Sequence, residues 1–331
     1  MKYNLSIIIG ILLVCAGCYK EDDIHVAEGL EVSYTLPQGD HAYDTTIMNW
    51  YEKYGFYTLY IFEDKDIYWA NTNWDERVEG WSGGGNLQGH PADPDYVGEL
   101  LNVIEQGFID VYPDSLVAHY MPLKLLLCSD LWDVLSASTY DWTTGEYIEL
   151  LDSTKLWARK GWDYIAVNGG SEAMRPTTVE DKLDLQAEIN TIFLQRLYGN
   201  GVLEIPEEFE TVSDYSTYGY YMATTVPNIF ELGFVMDNPL GSFNSGLETM
   251  VSVDFEAYLP LLARSLAWLE SEPGNALYIY NIQYYATLVL KGVLHPKRDV
   301  NGLIRQKYEI LMNMLAEKGI DVQQLQYPEF D

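Results

Sequence analysis

The chain has 331 residues and carries 50 acidic against 19 basic side chains, a formal net charge of −31. A surface this negative repels nucleic acid and anionic lipid, which excludes both as electrostatic partners. The length is enough for one compact domain with a small lobe, or for two domains.

The N-terminus predicts a lipoprotein signal. Residues 7–14 are almost wholly apolar, but this run is too short to span a bilayer. An A-G-C motif ending at Cys18 resembles a lipobox, in which this cysteine is diacylated and becomes the mature N-terminus. We therefore expect a signal peptide over residues 1–17 and a lipidated tether over residues 18–37.

The tether also predicts where the chain is exported. A K-E-D-D run at residues 20–23 resembles the signal that some Gram-negative bacteria use to move lipoproteins to the cell surface. We expect an outer-membrane lipoprotein exposed at the surface. An ordinary charged tether, with the domain facing the periplasm, is the alternative.

The first elements are predicted from caps and composition. Residues 44–46 supply N-cap oxygens for a helix over residues 47–54, which Gly55 ends. A β-branched and aromatic run at residues 56–62 predicts a buried strand. Residues 74–95 are rich in glycine and proline and predict a loop.

Helices and strands alternate through the rest of the first half. Apolar residues at helical spacing predict a helix over residues 96–112, followed by a short helix at 114–120. Apolar strands are expected at 123–128 and 164–167. Between them, residues 129–163 predict an elaborated hairpin or loop.

The second half is predicted to be mainly helical. The central helix covers residues 179–198. A long helix at 247–270 must absorb Pro260, and two more helices are expected at 275–294 and 299–318.

The central helix contains a degenerate metal-binding motif. Residues 187–191 read A-E-I-N-T, which is the frame of a zinc-peptidase H-E-x-x-H helix without its histidines. In that motif the two imidazoles hold zinc, and the glutamate between them deprotonates the metal-bound water. Only the base, Glu188, is retained.

Flanking segments extend this likeness. M-P-L-K-L-L-L at residues 121–127 precedes the helix, and I-P-E-E-F at 205–209 and G-F-V at 233–235 follow it. In this order the chain resembles the substrate-import-associated zinc metallohydrolase lipoproteins, whose helix is similar to H-E-F-x-H-I-L-H-Q followed by P-P-E-F. The resemblance begins near residue 44 and continues to the C-terminus.

The resemblance implies an α+β, zincin-like fold. It predicts one metallopeptidase-type domain over residues 38–331. A small mixed sheet is expected in residues 38–178, and a mainly helical part in residues 179–331.

Carried over residue by residue, the resemblance also implies a site. The family's three helix histidines fall on Ala187, Thr191 and Leu194, and its general base falls on Glu188. These replacements offer no nitrogen donor, so we expect no zinc, although zinc is the family's cofactor. The family's acidic segment falls near residues 246–254, in a loose register.

Three further residues are candidates for lining the cleft. Glu207 corresponds to the family's P-E-F corner. Tyr215 and Tyr218 belong to a polar, aromatic segment at residues 214–221, which predicts a loop at the cleft mouth.

Two functions remain. The first is a non-catalytic binding or accessory lipoprotein that serves a TonB-dependent outer-membrane importer and its substrate-binding lipoprotein, with a glycan or a peptide as cargo. The second is an active metallohydrolase with an atypical metal site and Glu188 as its base. The first is favoured, because a glutamate without a metal-polarised water lacks the Lewis-acid contribution of several kcal/mol.

Overall fold

The computed structural model describes most of the chain after the predicted tether, namely residues 34–68, 86–141, 145–215, 229–235, 247–273 and 290–330. Residues Leu36–Asp331 form one compact unit. The predicted signal peptide and Cys18 lie outside the described residues. Within those residues, no helix is both long and apolar enough to cross a membrane.

Six strands of the described residues form one mixed sheet. They are β1 (Tyr57–Leu59), β2 (Asn86–Pro91), β3 (Lys124–Asp141), β4 (Glu146–Lys155), β5 (Ala158–Lys160) and β6 (Tyr164–Asn168). The first part of β3 pairs in parallel with β1 and β6, and its second part pairs antiparallel with β2 and β4. β5 pairs antiparallel with β6 and lies at an edge of the sheet.

The apolar runs explain the centre of this sheet. Leu125, Leu126 and Leu127 of β3 are fully buried, and all five residues of β6 are buried. Continuous apolar runs of this kind are typical of strands that are covered on both faces. The predicted hairpin within residues 129–163 is confirmed by the β3–β4 pairing.

β2 corrects the prediction of a loop over residues 74–95. Its residues pair with β3 although they include a glycine and end at a proline. At Gly89 a Cβ atom would lie 2.8 Å from the end of the Ile67 side chain, so a larger residue here would require that side chain to shift. Local composition indicates a turn here, but pairing with the long strand β3 decides the structure.

The described residues contain ten α-helices and two 3₁₀ turns. The helices are α1 (Asp44–Tyr54), α2 (Asp64–Tyr68), α3 (Pro94–Gly107), α4 (Asp114–Tyr120), α5 (Val179–Gly199), α6 (Glu207–Val212), α7 (Leu247–Leu262), α8 (Leu266–Glu270), α9 (Leu303–Glu317) and α10 (Val322–Gln326), and the 3₁₀ turns are Ile109–Val111 and Ile229–Leu232. Helices together with a mixed sheet confirm the coarse prediction of a mixed α and β fold.

The long helix predicted in the second half differs from the structure. The segment predicted as one helix over residues 247–270 is broken, because α7 ends at Leu262 and a new helix begins after Ser265. Pro260 has no N–H to donate and weakens the end of α7, while the Ser265 hydroxyl caps α8 by accepting the Trp268 amide. The helix predicted at residues 275–294 lies largely outside the described residues.

A buried ion pair joins α7 to α9. Lys307 Nζ lies 2.5 Å from Asp254 Oδ2, and both side chains are almost fully shielded from solvent. Lys307 also donates to the Gly233 carbonyl at 3.0 Å, and the Tyr215 hydroxyl donates to Asp254 Oδ2 at 2.6 Å. Burial lowers the pKa of Lys307, and the adjacent carboxylate opposes that change. Asp254 Oδ1 has no hydrogen-bond partner among the described residues, so the contacts of Oδ2 and of Lys307 must offset the loss of hydration.

Candidate functional site

Helix α5 is fixed at its start and along one face. The Thr178 hydroxyl accepts the Asp181 amide at 3.0 Å, and the Asp181 carboxylate accepts the Thr178 amide at 3.1 Å, which completes a capping box. Leu185, Ile189 and Phe193 are fully buried in the core. The opposite side of the helix is thereby directed towards β5.

A partly open cleft of about 400 Å³ lies between α5 and β5. Its lining comes from three regions that are distant in sequence. Strand β5 contributes Ala158, Arg159 and Lys160; helix α5 contributes Ala187, Glu188, Thr191, Ile192 and Gln195; and the helical half contributes Pro260, Arg264, Trp268 and Leu290. The structure therefore brings three of the residues predicted from the motif into one cleft.

Glu188 connects the helix to the edge strand. Its Oε2 accepts the backbone N–H of Trp157 at 2.6 Å and that of Ala158 at 2.9 Å. Burial raises the pKa of Glu188 to about 7, although the two amide hydrogen bonds and the charge of Arg264 lower it. Its second oxygen, Oε1, forms no hydrogen bond within the part of the chain that the structure describes.

Of the three positions that correspond to metal ligands, two line the cleft and one does not. Ala187 presents a methyl group to the cleft, and the Thr191 hydroxyl donates to the Ala187 carbonyl at 2.7 Å within the helix. Leu194 is fully buried in the core and does not line the cleft, which corrects its predicted place in the site. Leu194 follows Ala187 by seven residues, so it lies two turns, roughly 10 Å, further along the axis of α5.

These residues do not fit the zinc that the resemblance implies. A methyl group, a hydroxyl already bonded to its own helix, and a core leucine supply no imidazole nitrogen or thiolate. Among the described residues, no group of three or more His, Cys, Asp or Glu is placed to hold a metal ion. Zinc bound by helix α5 in the family's manner is therefore incompatible with this side-chain set.

Two of the three other predicted cleft residues, Glu207 and Tyr215, do not line the cleft. Glu207 begins α6 as an exposed side chain and does not line the cleft. Tyr215 is buried, and its hydroxyl donates a hydrogen bond to Asp254, the acidic member of the ion pair between α7 and α9. Tyr218 lies outside the described residues. The segment near residues 246–254, which corresponds to the family's acidic segment, includes Ser252. Its hydroxyl is hydrogen-bonded to that of Tyr198 at 2.8 Å and gives no metal ligand there.

Sequence reasoning missed four polar or aromatic residues of the cleft. Arg264 forms an ion pair with Asp184 of α5, and its guanidinium lies 4.7 Å from the centre of the Trp268 ring. Arg159 and Lys160 lie on β5, in a segment predicted only as a hairpin or loop. The one local signal was Ser265, a capping residue that indicates a helix start next to these side chains.

Comparison with known proteins gave no match to any protein-family model, any curated protein or any solved structure. The resemblance to zinc metallohydrolase lipoproteins therefore rests on the motifs and on their order along the chain.

Proposed function

We propose that the chain is a non-catalytic binding lipoprotein with a zincin-like fold, derived from a metallopeptidase. It serves an outer-membrane, TonB-dependent importer and binds its ligand in the cleft between α5 and β5. A mixed sheet followed by a mainly helical half supports the fold that the motif order implies. The importer and its substrate-binding lipoprotein come from the resemblance alone.

One observation carries the non-catalytic part of this proposal. The carboxylate of Glu188 holds the edge strand, because one of its oxygens accepts the amides of both Trp157 and Ala158. A general base must lie within hydrogen-bond reach of the water it deprotonates, and the family's water is held by zinc. Since Ala187 and Thr191 offer that zinc no ligand, Glu188 has a structural role here.

A second candidate function has one observation in its favour. A pKa near 7 is suitable for a general acid or base at neutral pH, and Glu188 Oε1 forms no hydrogen bond among the described residues. An active hydrolase would need metal ligands or a nucleophile, and these would have to come from residues other than Ala187 and Thr191.

Zinc content and hydrolysis distinguish the two functions. The purified mature chain is incubated with zinc, dialysed, and assayed for metal and for cleavage of a peptide library and a glycan library. We expect well below one zinc per chain and no turnover. One tightly bound zinc per chain, with turnover that Glu188→Gln abolishes, would overturn the proposal.

A designed variant shows that the zinc assay can detect a site on this helix. Ala187→His with Thr191→His places two imidazoles at i and i+4, facing the cleft. We expect weak zinc binding without turnover, because a site built without supporting hydrogen bonds loses about 10–100-fold in affinity. Leu194→His is omitted from this variant, because it would place an imidazole in the core.

A further inference from the structure

The cleft concentrates positive charge in an acidic chain. Among the described residues that line it, three are cationic, Arg159, Lys160 and Arg264, and one is acidic, Glu188. The whole chain has 19 basic and 50 acidic residues, so the ratio is reversed in the cleft. Salt screens charge interactions beyond about 8 Å under physiological conditions, so a bound ligand responds mainly to these nearby groups.

Arg159 and Lys160 are the cations available to a ligand. Lys160 is exposed and forms no ion pair within the described part of the chain. The guanidinium of Arg159 lies 3.9 Å from the Asp133 carboxylate, a long contact that leaves the group partly exposed. Arg264 is already neutralised by Asp184. Because burial raises the pKa of Glu188 to about 7, this carboxyl group carries only part of a negative charge at neutral pH.

The edge of β5 is a poor template for an extended peptide. Along an antiparallel pair, residues whose backbone groups bond to the partner strand alternate with residues whose backbone groups point away from it. The Trp157 carbonyl accepts the Asn168 amide of β6, and the Gly161 amide donates to the Tyr164 carbonyl of β6. Ala158 and Lys160 therefore direct their backbone groups outward. Glu188 already occupies the Ala158 amide, so the strand retains one outward N–H, at Lys160. Strand addition requires a row of such groups.

Trp268 supplies a different kind of surface. Its ring is partly exposed in the cleft, and the Arg264 guanidinium lies over it. Because the guanidinium covers one face of the indole ring, the C–H face of a sugar can pack only against the opposite, apolar face. The cleft volume of about 400 Å³ is within the range of small-molecule sites and suits a ligand of disaccharide size.

Together these features indicate a ligand class, on the premise that the proposed binding function holds. We propose that the cleft binds a short oligosaccharide that carries uronic acid groups. Its carboxylate lies at Arg159 and Lys160, and a sugar ring packs against Trp268.

Calorimetry on the full mature chain tests this ligand class. The probes are uronate disaccharides and trisaccharides of glucuronate and galacturonate, their neutral counterparts, and an acidic tripeptide. Binding to a uronate should exceed binding to its neutral counterpart by about tenfold or more, because charge-assisted hydrogen bonds are roughly twice as strong as neutral ones. Raising the salt from about 0.05 to about 0.5 M should weaken uronate binding.

Variants separate the cleft from the general surface. Arg159→Ala with Lys160→Ala should reduce uronate affinity about tenfold or more, whereas Lys318→Ala, an exposed cation outside the cleft lining, should leave it unchanged. Trp268→Ala should weaken uronate and neutral sugars alike. If the double variant unfolds, Lys160→Gln and the salt dependence of the unaltered chain provide the same test.

Three outcomes would overturn the ligand class. They are tighter binding of the acidic peptide than of any uronate, equal affinity for neutral and uronate sugars, and no binding of any uronate in the panel. None of them changes the zinc and hydrolysis results, so failure of this inference is distinguishable from failure of the proposed function.

Discussion

Glu188 connects the central helix to the edge strand through a single carboxylate oxygen. In a zinc-peptidase helix this glutamate acts on a metal-bound water. Here its Oε2 accepts two backbone amides of the edge strand, both on buried residues. An unmatched buried amide costs about 1–3 kcal/mol, so loss of the Glu188 carboxylate would leave both amides unpaired at that cost.

The raised pKa of Glu188 predicts a pH-dependent contribution to stability. The pKa is about 7 in the folded chain and 4.5 for an ordinary glutamate. Between these values the folded state holds a proton that the unfolded state has released. The contribution is therefore fully present below pH 4.5, falls as pH rises, and is lost above about 7.

Glu188→Gln tests this, because an amide oxygen still accepts the two N–H groups but cannot ionise. From pH 5 to 8 the free energy of unfolding of the unaltered chain should fall relative to the variant, by on the order of 2 kcal/mol. Urea unfolding at each pH measures it. Parallel profiles would mean that Glu188 titrates normally.

Among the elements, those with local signals were predicted best. The capping residue Thr178 and an apolar stripe place α5 almost as the structure has it, and Gly55 ends α1 as expected. β2 could not be predicted, because its glycine and proline favour a turn locally, and only the distant strand β3 supplies its hydrogen bonds. The break before Ser265 was missed because the apolar spacing continues across it.

Of the predicted site residues, those that lie in one cleft come from a single helix. Ala187, Glu188 and Thr191 do meet in one cleft. Leu194 follows the same helix face but is covered by the core two turns further on, and burial by distant segments is not encoded in helix spacing. Trp268 and Lys160 enter the cleft through tertiary packing alone.

The ion pair between α7 and α9 gives a prediction at the scale of elements. Lys307→Met leaves the Asp254 carboxylate buried without its cation and should destabilise the fold by about 3–5 kcal/mol. Lys307→Met with Asp254→Leu removes both charges and should recover most of that loss, because an apolar pair needs no hydration. Urea unfolding of the single and double variants completes the cycle. A double variant as unstable as the single one would show that Lys307 acts through its contacts with the carbonyl of Gly233 and the surrounding rings.

At the scale of the whole molecule, the net charge and the position of the cleft have different origins in the sequence. The negative charge is spread along the sequence, whereas the cleft combines β5, α5 and residues from Pro260 of α7 to Leu290. A site assembled from residues 158–160, 187–195 and 260–290 has no local sequence pattern. The composition of the chain therefore describes its solvent-facing surface and says little about the cleft.

Membrane attachment is the last prediction, and it concerns the whole molecule. The A-G-C motif predicts that lipid on Cys18 is the anchor. Electrostatic attachment is disfavoured by a net charge of −31, because anionic lipid repels such a surface. Several acyl chains on one residue give stable anchoring, whereas a single chain binds only marginally.

Cys18→Ala should therefore move the chain from the outer-membrane fraction to the soluble fraction, as followed by fractionation and immunoblotting in a Gram-negative host. Cys128→Ala is the matched control, because Cys128 is a free thiol buried in β3 and its loss leaves the lipobox intact. That variant should remain in the membrane and release lipid-bearing peptides on digestion. If Cys18→Ala instead stays uncleaved in the membrane, residues 7–14 are acting as a retained anchor and the lipobox prediction is wrong. If it is cleaved and still membrane-bound, attachment comes from a partner protein rather than from lipid, and a chain assembled on an importer would behave in this way.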